Sequence, residues 1–324
     1  MAQKFGWQPD DSGAQEILDD ASAPVYALTD ARIINRLSQP SWSARKQPIV
    51  LFDALRALHP GWVRRAQGIG DCVSWGYELA CTLVAAVDIF VKREPWQWLG
   101  EFATEPIYGG ARVEALGKRS GGWADGAYGA AAAKFVTQWG ALHRIDYSLS
   151  TGDESHNLTT YSKDKAKDWG NFGCGGKQDG GALDKVAKSQ PVENAYKITT
   201  FEQAMLAIES GYPIAVCSSQ GLGKRDSDGF APPIRKAWHH CMCFAGVRYD
   251  KPGLLVSNSW GNSWGASGRV PGVEWDSVKK CSAWVDHKTA GHMLARGDSY
   301  ALTGVDGLKS RKIDWSGGWQ IHGR

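Results

Sequence analysis

The sequence predicts an α+β fold of two lobes, one helical and one β-barrel-like, and three observations carry that expectation. Apolar residues recur at three- and four-residue steps through Cys72–Lys92 with no proline, the pattern of a core helix. From Pro213 onward short apolar runs, Ile214–Cys217, His240–Val247 and Leu254–Ser257, alternate with glycine and proline turns, the pattern of strands. The helical patterns fall early in the chain and the strand patterns late, with no internal repeat. The 324 residues suffice for one large domain or two lobes that share an interface.

Residues 1–45 read as an N-terminal extension with Asp, Ser and Pro clusters and one short helical stretch near Thr29–Leu37. The main domain is expected over 46–290. It opens with a helix at Phe52–Leu58 that Pro60-Gly61 ends. A glycine-rich turn, Gln67-Gly68-Ile69-Gly70-Asp71, leads into the Cys72 helix, with Asp71 as candidate N-cap. An alanine-rich helix is expected over Asp125–Trp139. Residues 150–190, rich in Gly, Lys, Asp and Ser without a steady period, read as a surface insertion. Thr200–Ser210 reads as a third helix, and 291–324 as a C-terminal tail whose end, Ile313–Arg324, is peripheral.

Composition excludes several classes. A net charge of +3 with no long basic block argues against nucleic acid as a partner. The apolar runs fall short of the roughly 18 residues that cross a bilayer, and the polar opening Met1–Gly13 lacks the apolar core of a secretion signal. No membrane partner is therefore expected. Seven cysteines are an odd and sparse set, which fits a reducing compartment and one chemically active thiol better than a disulfide scaffold. Gly221-Leu222-Gly223-Lys224 lacks the spacer of a phosphate loop, and Asp226–Gly229 lacks the acidic ladder of a calcium loop; both read as turns, and no cofactor is expected.

Four segments bear chemistry. Cys72 stands at the first turn of a helix, where free N–H groups and the macrodipole favour a thiolate; a small residue at a helix start is the plain alternative. Gln67, just upstream, carries an amide able to donate to an oxyanion, with the Cys72 N–H as second donor; it also suits a solvent-facing glutamine. His240 opens a strand-like run, Trp238-His239-His240-Cys241-Met242-Cys243, and suits a general base. A metal reading of the same run fails on alternation, because His240 lies opposite Cys241 and Cys243 and no second Cys/His cluster completes a set. Asn258, in Asn258-Ser259-Trp260-Gly261-Asn262-Ser263-Trp264-Gly265, is able to orient an imidazole, with a nearby indole as shield; a glycine-rich turn over core tryptophans fits the same letters.

In chain order these segments resemble the papain family of cysteine peptidases. The likeness rests on Gln67-Gly68, Cys72, Trp75, His240 with Gly246 six positions later, and the Asn-Ser-Trp-Gly-x-x-Trp-Gly-x-x-Gly run from Asn258 to Gly268. It covers about residues 46 to 275. By that resemblance Cys72 is the nucleophile, His240 the base, Asn258 its orienting partner and Gln67 part of the oxyanion hole. Trp260 covers the His–Asn bond, and Gly121 and Gly122 contact the substrate backbone. The sequence departs from the family's pattern in five places. Gly70 and Ser120 stand where a bridging cysteine pair is usual. Gln67 lies five positions before Cys72, one fewer than in papain. Val73 and Ser74 separate the nucleophile from Trp75. The Cys72–His240 interval is long, and the 45 leading residues are fewer than the family's usual inhibitory segment, so autoinhibition of that kind is not expected.

The expected function is peptide hydrolysis by a Cys-His-Asn triad, with a peptide or protein as substrate and a cytoplasmic or virion-associated location. The alternative is a non-enzymatic module that keeps the fold within a viral particle or other assembly, joined through the N-terminal extension. A different acyl transfer on the same triad ranks third.

Overall fold

The computed structural model describes residues 5–27, 47–117, 125–177, 179, 181–188, 192–264 and 269–304. The Thr29–Leu37 stretch, Gly121, Gly122 and Ile313–Arg324 lie outside them.

The Cys72–Phe90 helix is the centre of the molecule. Sixteen of its nineteen residues are buried, so it is apolar all round rather than amphipathic. Contrary to the reading that no run is long enough, it is long and apolar enough to cross a membrane; its side chains are instead packed inside the protein. It lies against the His240–Arg248 strand, and Gly76 makes the approach possible: a Cβ there would stand 2.7 Å from the Cys241 sulfur and 2.9 Å from the Met242 carbonyl oxygen.

That strand sits inside an eight-stranded, mostly antiparallel sheet. The order is Val25–Ala27, Asn194–Lys197, Tyr300–Thr303, Ile214–Ser218, His240–Arg248, Gly253–Ser257 and Ser282–Asp286, with Ile49–Val50 also paired to the His240 strand. Eight of the nine residues of His240–Arg248 are buried, as a strand covered on both faces requires. Gly246 is fixed by crowding, since a Cβ would meet the Ile49 carbonyl oxygen at 2.8 Å and Leu255 at 3.0 Å.

The helical part contains Thr104–Arg112 and Gly129–Gln138 beside the central helix. The alanine-rich helix begins at Gly129, four residues later than expected, because its N-terminus is capped from far away. The Asp298 carboxylate accepts from Gly129 N at 2.7 Å and Ala130 N at 2.8 Å. Residues 150–190 are not a surface excursion. They form helices at Lys163–Phe172 and Ala182–Ala187, with Leu158, Trp169 and Leu183 buried. The sparse apolar residues there each fill one deep site, so no period was visible. The tail assignment from 291 also changes, since Tyr300–Thr303 is an interior strand with all four residues buried. Thr200 and Gln203 close a capping box on Phe201–Glu209, in line with the expected third helix.

The N-terminal residues are built into the body. Asp10 caps a helix at Asp11–Asp19 through Gly13 N at 2.9 Å, Ala14 and Ile17 bury its inner face, and Lys134 pairs with Asp20 at 2.9 Å. Val25–Ala27 adds a parallel edge strand to the sheet.

Candidate active site

The glycine-rich turn delivers Cys72 to the N-terminus of the central helix. Asp71 does not cap that helix with its side chain. Its carboxylate instead accepts from the Tyr161 hydroxyl at 2.9 Å, and the same oxygen of Tyr161 accepts from Gly68 N at 2.9 Å. Tyr161, from the segment read as an excursion, thereby ties the turn in place.

The pairing of Ile214–Ser218 with His240–Arg248 sets Ser218 opposite His240 and fixes the imidazole at the strand's entrance. His240 Nε2 bonds Asn258 Oδ1 at 2.8 Å. The same oxygen accepts from Ser259 N at 2.6 Å, so it is an acceptor and Nε2 carries the proton. Nδ1 is thus the basic nitrogen; it is buried with no hydrogen-bond partner among the described residues. Trp260 stacks on the imidazole at 4.7 Å between centroids and 26°, with Trp238 edge-on to it at 6.4 Å.

Cys72 is fully buried, and the Cys241 sulfur packs against its helix at Gly76. His240 and Asn258 are in direct contact, and Cys72 stands at the start of the helix packed against the His240–Arg248 strand. Gln67 joins them at the Asn258 end: its N–H donates to Ser259 O at 2.9 Å, its Oε1 accepts from the Ser259 hydroxyl at 2.5 Å, and its Nε2 donates to Ile69 O at 2.9 Å. All seven cysteines are free and buried, and no group of three or more metal-ligating side chains is assembled among the described residues.

Behind Asn258 stands a buried ion pair that sequence reading missed. Arg64 Nη1 meets Glu78 Oε2 at 2.7 Å, Nη2 donates to Trp75 O at 2.9 Å and Nε donates to Asn258 O at 3.2 Å. A glutamate inside an otherwise apolar helix was the available signal, because buried carboxylates are retained with partners.

The site is covered, and the cover is the chain's own N-terminal segment. Gly6 N and Trp7 N both donate to His239 O at 3.1 Å; Ala127 N donates to Gly6 O and Gln8 N to Ala127 O, each at 2.9 Å. Gly6 also packs on the glycine turn ahead of Cys72, where a Cβ at position 6 would stand 1.7 Å from the Gly70 carbonyl oxygen. Phe5 stands edge-on to His240 at 6.0 Å and to Trp260 at 5.8 Å. The strap crosses from Ala127 in the helical part to His239, the residue before the His240–Arg248 strand.

Burial sets the protonation states. It pushes the Cys72 thiol far above its ordinary range, with Cys241 adding to the shift, and lowers His240 to about 4, so both are neutral near pH 7. Burial also raises Asp71 to about 7. The folded carboxyl holds its proton up to that pH while the unfolded one releases it near 3.8, so this group's contribution to stability is lost as pH rises through the window. Asp71→Asn is expected to flatten the pH dependence of the urea midpoint between pH 4 and 7, by about 4 kcal/mol at most. An unchanged slope would contradict the assignment.

No family model matches the sequence, and no curated protein matches it. Solved structures do. The fold is similar to xylellain, a cysteine protease from Xylella fastidiosa, with a TM-score of 0.53 and 14% identity over 94% of this chain and 94% of that one. Digestive procathepsin L 3 of the Tenebrio molitor larval midgut aligns with a TM-score of 0.40 and 12% identity, covering 82% of this chain and 71% of that one. The chain has the papain-like peptidase fold that the motifs led one to expect.

Proposed function

We propose that the chain is a cysteine-dependent peptide hydrolase held in a covered state by residues 5–8. The observation that carries this reading is the His240 Nε2–Asn258 Oδ1 bond of 2.8 Å, which leaves Nδ1 as the base for the thiol at the N-terminus of the neighbouring helix. Once the strap leaves, water solvates the pair and a thiolate–imidazolium couple becomes accessible. Nδ1 takes the thiol proton and the sulfur attacks the peptide carbonyl carbon. The imidazolium returns the proton to the departing amine as the C–N bond breaks. Water, deprotonated at Nδ1, then releases the acid from the thioester and restores the thiol. The Cys72 N–H and the Gln67 amide face the developing oxyanion. Gly121 and Gly122 remain the family-based choice for the substrate backbone, and Ala127, whose N–H and C=O already hold the strap, is the stronger one.

An epoxide-type thiol reagent tests the reading on the wild-type chain and on Gly6→Val. A single adduct on Cys72 is expected, and Cys72→Ala is expected to lower peptide hydrolysis by roughly 10⁴- to 10⁶-fold. Labelling of Cys72 no faster than of the other six cysteines in Gly6→Val defeats it. The sealed thiol favours a second reading, a non-enzymatic module on the papain fold, and that same result would select it.

A further inference from the structure

We infer that Tyr161 is a positioning residue for the oxyanion hole: its hydroxyl, held on the Asp71 carboxylate, fixes the Gln67–Gly68 peptide beside which the hole is built. The inference rests on the peptidase reading and adds to it a residue from the 150–190 segment. The Tyr161 hydroxyl donates to Asp71 Oδ2 at 2.9 Å and accepts from Gly68 N at 2.9 Å, so one oxygen grips the glycine turn near both of its ends. From the other side, Gln67 N donates to Ser259 O at 2.9 Å. The peptide between these two holds ends in a glycine, which by itself offers little resistance to rotation. A Cβ at position 68 would stand 2.7 Å from Lys163 Cβ and 3.0 Å from the Tyr161 oxygen, so a side chain there would push the turn off the hydroxyl.

Tyr161 is itself rigidly placed. Its ring packs edge-on against Trp75 of the central helix, at 5.0 Å between centroids. The next residue, Ser162, caps the Lys163–Phe172 helix through Lys165 N at 3.2 Å, and its own N–H donates to Glu105 Oε1 at 3.0 Å. Glu105 is anchored in turn by Arg144 Nη2 at 2.9 Å, with both side chains buried. The hydroxyl is therefore a fixed point against which the turn is set. Removing that oxygen takes away two bonds at once, and the buried Asp71 carboxyl loses this donor. A displaced hole costs the transition state rather than the bound substrate, because negative charge reaches the carbonyl oxygen only as the sulfur adds.

Full-length chains carrying Gly6→Val test this, with and without Tyr161→Phe, which keeps the ring on Trp75 and removes only the oxygen. Two probes separate the hole from the thiol. An acetylated dipeptide aldehyde adds to Cys72: the sulfur bonds to the carbonyl carbon, the thiol proton passes to the carbonyl oxygen, and that oxygen occupies the hole. Iodoacetamide alkylates the same sulfur with loss of iodide and a proton to solvent, and makes no use of the hole. Tyr161→Phe is expected to weaken aldehyde binding and lower kcat by roughly 10- to 100-fold each, with KM and the alkylation rate held within about 3-fold. Asp71→Leu is expected to repeat the loss, and Asp71→Asn, which still offers Tyr161 an acceptor, to recover most of it; this pair carries the test where Tyr161→Phe does not fold. Aldehyde affinity unchanged by Tyr161→Phe, or alkylation falling in step with it, overturns the role of Tyr161, as does equal behaviour of Asp71→Asn and Asp71→Leu. Failure of the Gly6→Val parent to cleave any peptide or bind the aldehyde defeats the peptidase reading, and the inference with it.

Discussion

Gly6→Val is expected to open the site. A Cβ at position 6 would lie 1.7 Å from the Gly70 carbonyl oxygen and 2.4 Å from its carbon, both backbone atoms with no side chain to swing away. The strap must therefore lift, and the bonds it loses there are Gly6 N to His239 O, Trp7 N to His239 O and Ala127 N to Gly6 O. At about 1 kcal/mol each these put the shift in the covered–open equilibrium at roughly 10²-fold. Alkylation of Cys72, followed peptide by peptide in a mass spectrometer, reads that shift directly. Hydrolysis is expected to rise by a similar factor, because the thiol regains solvent and its proton becomes easier to remove. Cys81, fully buried in the middle of the central helix, is the internal control. If Cys72 and Cys81 become reactive together, the variant has loosened the whole fold and the strap is not a gate.

The second large effect concerns the ion pair under Asn258. Arg64→Met is expected to destabilise the chain by about 3–5 kcal/mol, because Glu78, with a 4% exposed side chain, keeps a charge with its partner gone. Thr82 donates to the other Glu78 oxygen at 3.2 Å and is too weak a substitute for a guanidinium. Replacing both, Arg64→Met with Glu78→Met, is expected to recover most of the loss in the denaturant midpoint, since two apolar side chains of matching volume need no counter-charge. On the proposed peptidase reading, activity is expected to stay low in both variants, because each loses the Arg64 Nε bond to the Asn258 carbonyl that holds Asn258 in place. Equal stability of the single and double variants would show that the pair carries no mutual dependence.

Much of the site was legible because its parts are coded by short local patterns. Cys72 follows a glycine turn at a helix start, His240 begins an apolar strand with Gly246 six positions on, and Asn258 leads a tryptophan-rich run. Each pattern has a physical cause in the fold: crowding at Gly246 against Ile49 and Leu255, stacking of Trp260 on the imidazole, and the Ser259 N–H that orients the Asn258 amide. Asp71 shows where local reasoning fails. As the residue before a helix it looks like a cap, yet Tyr161, ninety positions away, claims its carboxylate. Asp298 is the converse case, a helix cap supplied from 168 positions beyond the helix it serves.

By itself the sequence determined the central helix and the late strands, because helical period, strand alternation and turn chemistry act over a few residues at a time. Only the tertiary structure decided that Phe5 and Gly6 lie over His240 and Trp260, that Arg64 and Glu78 brace Asn258, and that Asp298 caps the Gly129–Gln138 helix. Those arrangements depend on contacts between segments far apart in the chain, where hydrogen-bond demand and space, rather than any local preference, choose the partner.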